Sequence, residues 1–413
     1  MENENLSNRA KILISSLIIC LSIACANAQP GCTDPQAINF DASAQQNDGS
    51  CIYPPTFYQP EQIAVLPNGL TEASGLEFFD HQLWLEQDGG IGAVLYTVDT
   101  VTGAVQASIQ LPLLENKDWE DLAEDAENLY IGDFGNNFGN RTDLRIYKVN
   151  KNALQNAGTV TAEVIAFSFS DQTDFTTASD STNFDCEAFI VLGDSIQIFS
   201  KRWLDNTTHR YLLPTTPGSY IAKLRDSLDT GFLVTAADLS EAGMVVLLGY
   251  NGTTSETSML LLWDYPSTNV FGGNKRKISL GNALNMSQSE GLAFSTATEG
   301  YICSEKILVL PQRLHHFDIR QWLGNPSAAG EVAVNFKIEI SPNPFTDLLN
   351  IDYQGVGGEK SSFEIISAEG EMVGRGELRG GKNRLDTANL PAGTYFLWVK
   401  NGEGSTVRKL MKN

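Results

Sequence analysis

The chain has 413 residues, with 28 Lys and Arg against 50 Asp and Glu and a formal net charge of -22. So acidic a protein repels nucleic acid and anionic lipid surfaces, which need basic patches, and suits cations or basic partners. The charge is uneven: residues 337–413 carry ten acids and ten bases, so the excess lies upstream.

Arg9 and Lys11 precede an apolar run from Ile12 to Cys25, and Ala26-Asn-Ala28 follows before Gln29. Charged start, apolar centre and small-residue end are the parts of a secretory signal, so residues 1–28 are expected to be removed, with cleavage between Ala28 and Gln29. The run is short for a bilayer, and no other segment approaches about 20 apolar residues, so no transmembrane segment is expected in the mature chain.

Residues 29–54 hold Cys32 and Cys51 in a stretch rich in Asp and Asn. The pattern of Gly31-Cys-Thr-Asp34, Asn39-Phe-Asp41 and Asp48-Gly-Ser-Cys51 resembles a short module of secreted Bacteroidetes proteins, which implies a Cys32–Cys51 bridge. A module this short has no core of its own, so a disulfide must hold it. Asp34, Asp41 and Asp48 are candidate oxygen ligands for Ca²⁺; the alternative is that they shape turns. Cys186 and Cys303 are expected as buried thiols.

Residues 55–325 repeat a short turn, an apolar strand, a gap and a second strand with a polar end. Starts near Ser74, Glu120, Glu187, Ala237 and Glu290 lie some 45 to 70 residues apart, near the period of four-stranded propeller blades. The spacing predicts an all-β fold, a five- or six-bladed β-propeller. Gln62 to Leu66 is expected to close the ring beside Leu314 to Ile319. An open sandwich is the alternative. Asp118-Trp-Glu-Asp-Leu-Ala123 and Ile131-Gly-Asp-Phe-Gly-Asn-Asn137 give this block a resemblance to uncharacterised propellers secreted by Bacteroidetes. More loosely, its blade rhythm resembles esterase-like phytase and gluconolactonase propellers.

Repetition brings equivalent positions to one mouth of a propeller, so Glu120, Glu187 and Glu290, with Asp121 and Asp133 nearby, form a candidate metal site. Ca²⁺ is the candidate ion, since its charge offsets carboxylate repulsion. Each acid could instead accept backbone hydrogen bonds within its blade. No His-Glu-x-x-His, Cys-x-x-Cys, Gly-x-Ser-x-Gly or phosphate loop is present, which leaves zinc hydrolysis, a nucleophile elbow and nucleotide binding without support.

After a linker at 326–336, residues 337–413 alternate apolar and polar positions in runs bounded by Gly, Pro and Asn, the pattern of a small β-sandwich. Pro342-Asn343-Pro344, the block from Leu390 through Gly393 and Tyr395, and the basic, apolar end at Lys409 carry the resemblance. It is to the type A C-terminal sorting domain of the type IX secretion system of Bacteroidetes. The resemblance implies Sec-dependent passage into the periplasm, recognition by the type IX machinery, and release from the cell or display on its outer membrane. Two functions stay open for the propeller: binding of a glycan or protein, or Ca²⁺-dependent hydrolysis of a phosphate ester or lactone at its acidic mouth. In the second, Glu120 or Glu187 would act as base.

Overall fold

The computed structural model describes residues 29–155, 160–323, 336–355, 361–367, 372–401 and 404–413. The expected signal segment 1–28, with Ala28 of its cleavage site, and most of the expected linker lie outside the described residues. Five four-stranded antiparallel blades follow one another. Blade 1 comprises Ala73–Phe79, Gln82–Gln87, Val94–Val98 and Val105–Gln110. Blade 2 comprises Trp119–Glu124, Asn128–Asp133, Arg145–Asn150 and Ala162–Phe169. Blade 3 comprises Asp185–Leu192, Ser195–Lys201, Thr207–Pro214 and Gly218–Asp229, and blade 4 Leu233–Leu239, Val245–Tyr250, Glu256–Trp263 and Asn274–Asn282.

Blade 5 takes three strands from the end of this region, Gln288–Phe294, Glu299–Glu305 and Arg313–Asp318, and its outer strand, Glu61–Val65, from the beginning. Leu314 pairs with Ala64 and His316 with Glu61, the closure expected from sequence. The first strand of each blade touches that of the next, and the fifth returns to the first, so the ring has five blades. Buried His315 and half-buried His316 point to opposite faces of their strand, as a two-residue period requires.

Between each pair of neighbouring blades lies an apolar core. Tyr130, Phe134, Phe189 and Tyr211 fill the space between blades 2 and 3, and Val246, Met259, Leu292 and Phe317 that between blades 4 and 5. A blade is thus covered on both faces. This is why Val245-Val-Leu-Leu248 and Met259-Leu-Leu-Leu262 are continuous apolar runs where a one-sided sheet would alternate. The outer strands of blades 2 and 3 also pair in parallel, Ile165 with Gly218 through Phe169 with Ala222.

The inner strands of neighbouring blades share no backbone ladder, so their edge groups need side-chain partners. Ser74 Oγ donates to Glu120 O at 2.6 Å, Thr235 Oγ1 to Ser289 O at 2.8 Å, and Asp238 Oδ2 accepts from Phe294 N at 2.6 Å. These polar stitches link the inner strands of blades 1 and 2 and of blades 4 and 5.

The N-terminal module is closed by the Cys32–Cys51 disulfide and seated on blade 4. Tyr53 donates to Asp34 Oδ2 at 2.8 Å, and its ring lies 5.5 Å from Trp263 and under the Arg276 guanidinium. Asn47 donates to Asn274 Oδ1 at 3.1 Å.

The C-terminal region is a two-sheet sandwich. Phe336–Ser341, Leu348–Gly355 and Gly381–Asp386 make one sheet; Met372–Leu378, Ser361–Ser367, Gly393–Asn401 and Gly404–Lys412 make the other. Ile338, Phe345, Leu349, Phe363, Leu397 and Leu410 lie between them. Asn343, between Pro342 and Pro344, accepts the Met411 N–H at 2.8 Å, and Phe345 N donates to Met411 O at 2.8 Å, tying the first turn to the last strand. Tyr395, two residues into its strand from Gly393, is buried and donates to Pro391 O at 2.7 Å. The side chain of Lys409 lies outside the described residues.

Candidate functional site

All five inner strands run in the same direction, away from one mouth of the channel. Each starts with an equivalent position there: Ser74, Glu120, Glu187, Thr235 and Glu290. In all five blades a break in register lies at this position on the inner strand, which carries one residue more than its partner there. Such bulges re-aim side chains at barrel and sheet rims.

The two hydroxyls stitch strands, and the three glutamates face different neighbours. Lys201 Nζ donates to both Glu187 oxygens, at 2.6 and 2.5 Å, within a buried pair. Burial opposes the charge of Lys201, but Glu187 together with Tyr250, Glu290 and Asp185 outweighs it and raises the lysine above its ordinary range. Glu290 Oε1 accepts from Gln288 at 2.7 Å, and Gln288 also reaches Glu305 at 3.3 Å. Glu120 is 5% exposed, and its Oε1 has no hydrogen-bond partner among the described residues. Burial, then repulsion from Asp88 and Glu187, pushes its carboxyl well above the usual range.

The glutamate ring does not gather within ligand distance. The one cluster of three acids that does so among the described residues is Asp88, Asp118 and Glu120, each with an oxygen within 4.8 Å of the others. Asp88 follows the second strand of blade 1, and Asp118 immediately precedes the inner strand of blade 2. Burial and the Asp88 charge bring Asp118 to about 7. Sequence reasoning singled out neither Asp88 nor Asp118 as a ligand. The available signal was an acid beside glycine: Gly89 follows Asp88, and Gly135 comes to lie over Asp118 and Glu120.

Asp121 and Asp133, expected beside the ring, have structural partners. Asp121 is fully buried and accepts N–H groups from Leu122, Phe189 and Ala237 at 2.9, 3.2 and 3.3 Å. Asp133 takes Arg141 at 3.0 Å, Arg145 at 2.8 Å and the Asp118 N–H at 3.1 Å. A carboxylate already neutralised by two guanidinium groups is a poor metal ligand. In the N-terminal module, Asp34, Asp41 and Asp48 accept the N–H two residues on, from Gln36, Ser43 and Ser50. These are Asx-turns, and the structure does not cluster them.

The other end of the channel is acidic too. Glu77, Glu124 and Asp238 approach one another there, beside a cavity of about 250 Å³ lined by Glu124, Asp125, Asp238 and Glu241. Lys151 pairs with Glu124. Burial raises Asp238 to about 7.

Residues 339–413 match the family described as the secretion system C-terminal sorting domain. The chain therefore carries a type IX sorting domain and is exported to the cell surface or secreted; among the described residues no helix is long and apolar enough to cross a membrane. No curated protein matches the chain. Among solved structures, the calcium-binding protein regucalcin of Agrobacterium tumefaciens is 10% identical, with a TM-score of 0.33 over 63% of this chain and 95% of its own. A 6-phosphogluconolactonase-like protein of Bacteroides uniformis is 10% identical, with a TM-score of 0.32 over 88% of this chain and 92% of its own. An immunoglobulin-like sandwich protein of Bacteroides vulgatus is 18% identical, with a TM-score of 0.16 over 19% of this chain and 96% of its own. Likenesses this remote carry no activity across.

Proposed function

We propose that the propeller is a binding module that captures a protein partner, rich in basic and apolar side chains, over its acidic mouth. The observation that supports this is the asymmetry of its two faces. Strand direction assigns to the mouth face the loops bearing Ile91, Leu113, Phe138, Leu204, Leu308 and Val309, all strongly exposed; the last two are 89% and 92% exposed. On the propeller's own described loops of the opposite face, Val101 is the one large apolar side chain so exposed, and the N-terminal module seated at that end exposes Ile38, Phe40 and Ile52. Apolar groups rimming a charged centre suit a protein surface. The N-terminal module sits beside the 264–273 loop, at the other end of blade 4, and leaves this rim free.

The test is capture of surface proteins by the full chain and by L308D/V309D and V101D variants. Loss of the partner with the rim variant alone supports the reading. Binding on a glycan array that survives L308D/V309D would replace the protein partner with a glycan.

One observation favours the second, hydrolytic reading: Glu120, buried, with a raised carboxyl and a free oxygen, is equipped for acid–base work. Its substrate would be a lactone or carboxyl ester, because Lys201, the buried cation a phosphate would need, is taken by Glu187. Chelator-sensitive turnover abolished by Glu120→Gln, with the fold intact, would establish it.

A further inference from the structure

From this mouth we infer a site for one hard divalent cation of the calcium class, held by Asp88, Asp118 and Glu120. It deepens the reading of the mouth as the binding surface and rests on that reading for its biological role. Three carboxylates with oxygens within 4.8 Å of one another form an all-oxygen donor set, which suits Ca²⁺ and not a soft metal.

Acidic clusters are common on surfaces, and two further observations distinguish this one. Glu120 is almost completely buried, yet its Oε1 has no protein partner. Buried polar atoms are nearly always hydrogen-bonded, and an orphaned carboxylate oxygen facing two other carboxylates calls for a cation. The second observation is the backbone around the cluster. A Cβ on Gly135 would collide with Glu120 Oε1 and lie 2.6 Å from Asp118 Oδ2; one on Gly89 would lie 2.8 Å from Asp118 Oδ1. Two glycines therefore let the chain close over the oxygens from both sides.

The neighbouring cations are held mainly by other groups. Arg141 Nη1 is 3.9 Å from Asp118 Oδ2, but the same guanidinium binds Gly135 O at 2.8 Å and Asp133 Oδ1 at 3.0 Å. Lys201 is held by Glu187. Asp88 takes the N–H of Gly89 and also lies within hydrogen-bonding distance of the Asp118 carboxyl.

The experiment is calorimetric titration of the metal-stripped full chain with CaCl₂ and MgCl₂ alone. The expected result is one saturable calcium site, with affinity at least tenfold weaker in D88N and in E120Q. D88N, at the more exposed edge, decides the matter should E120Q fail to fold. Absence of heat up to about 10 mM of either ion, about tenfold above the weak limit of extracellular calcium sites, would overturn the inference. So would unchanged affinity in D88N, or binding lost in D34N instead. No partner is present in the titration, so its failure leaves the rim reading standing. Loss of partner capture in L308D/V309D with calcium affinity unchanged separates the two in the other direction.

Discussion

Asp121 Oδ2 on blade 2 accepts the backbone N–H of Ala237 on blade 4 at 3.3 Å, across 116 positions of sequence. The same oxygen takes the Phe189 N–H of blade 3 at 3.2 Å. One carboxylate thus spans three inner strands at the axis, where no ladder exists to satisfy their edges.

Asp121→Ala should therefore destabilise the propeller globally. Three buried N–H groups, those of Leu122, Phe189 and Ala237, would lose this acceptor at about 1–3 kcal/mol each, so a loss of about 3 kcal/mol or more is expected in denaturant unfolding. Asp121→Asn, which keeps one acceptor oxygen, should cost less. Equal stability of Asp121→Ala and wild type would refute the bridging role.

The buried Glu187–Lys201 pair makes a second case. Lys201→Met removes one partner and strands a buried carboxylate, a change that costs about 3–5 kcal/mol. Combining it with Glu187→Gln should restore most of the loss, read from the same unfolding midpoints. A double variant no better than Lys201→Met would mean that the pair is not the source of the cost.

His315 sets a pH dependence. It is 1% exposed, and burial followed by the Arg313 charge lowers it to about 4 against a smaller opposing contact with the Asn285 backbone. Its folded value lies below the unfolded value of about 6.5. The stability it contributes is therefore complete above pH 6.5 and lost as pH falls toward 4. His315→Leu should flatten this acid limb; the readout is the difference in melting temperature between variant and wild type across that window.

Asp238 works in the opposite sense. Burial raises its carboxyl to about 7, above the unfolded value, so its contribution is present below the ordinary carboxylate range and fades as pH rises through 7. The chain without metal should melt higher at pH 5.5 than at pH 8. Asp238→Asn should narrow that gap, and an unchanged gap would place the effect elsewhere.

The starts of the blades and the closing strand were readable because each depends on local signals. Turn residues and apolar runs mark the starts near Ser74, Glu120, Glu187, Ala237 and Glu290, and the unpaired run from Gln62 to Leu66 needed a partner strand. The choice between five and six blades was not readable. It depends on whether the first strand of blade 5 meets that of blade 1, a contact between residues more than 200 positions apart.

The sorting tail and its sandwich were likewise legible in the sequence alone, from alternation, Pro-Asn-Pro and the basic end, all short-range features. The roles of the carboxylates were decided by the tertiary structure. Asp121, Asp133, Glu187 and Glu120 are alike in sequence, all acids at strand ends, yet they meet respectively backbone N–H groups, two arginines, a lysine and two other carboxylates. Whether a carboxylate is neutralised, stitched or left free depends on what the neighbouring blades bring to it. Asp88 and Asp118 belong to different blades, and only the closed ring brings them together with Glu120.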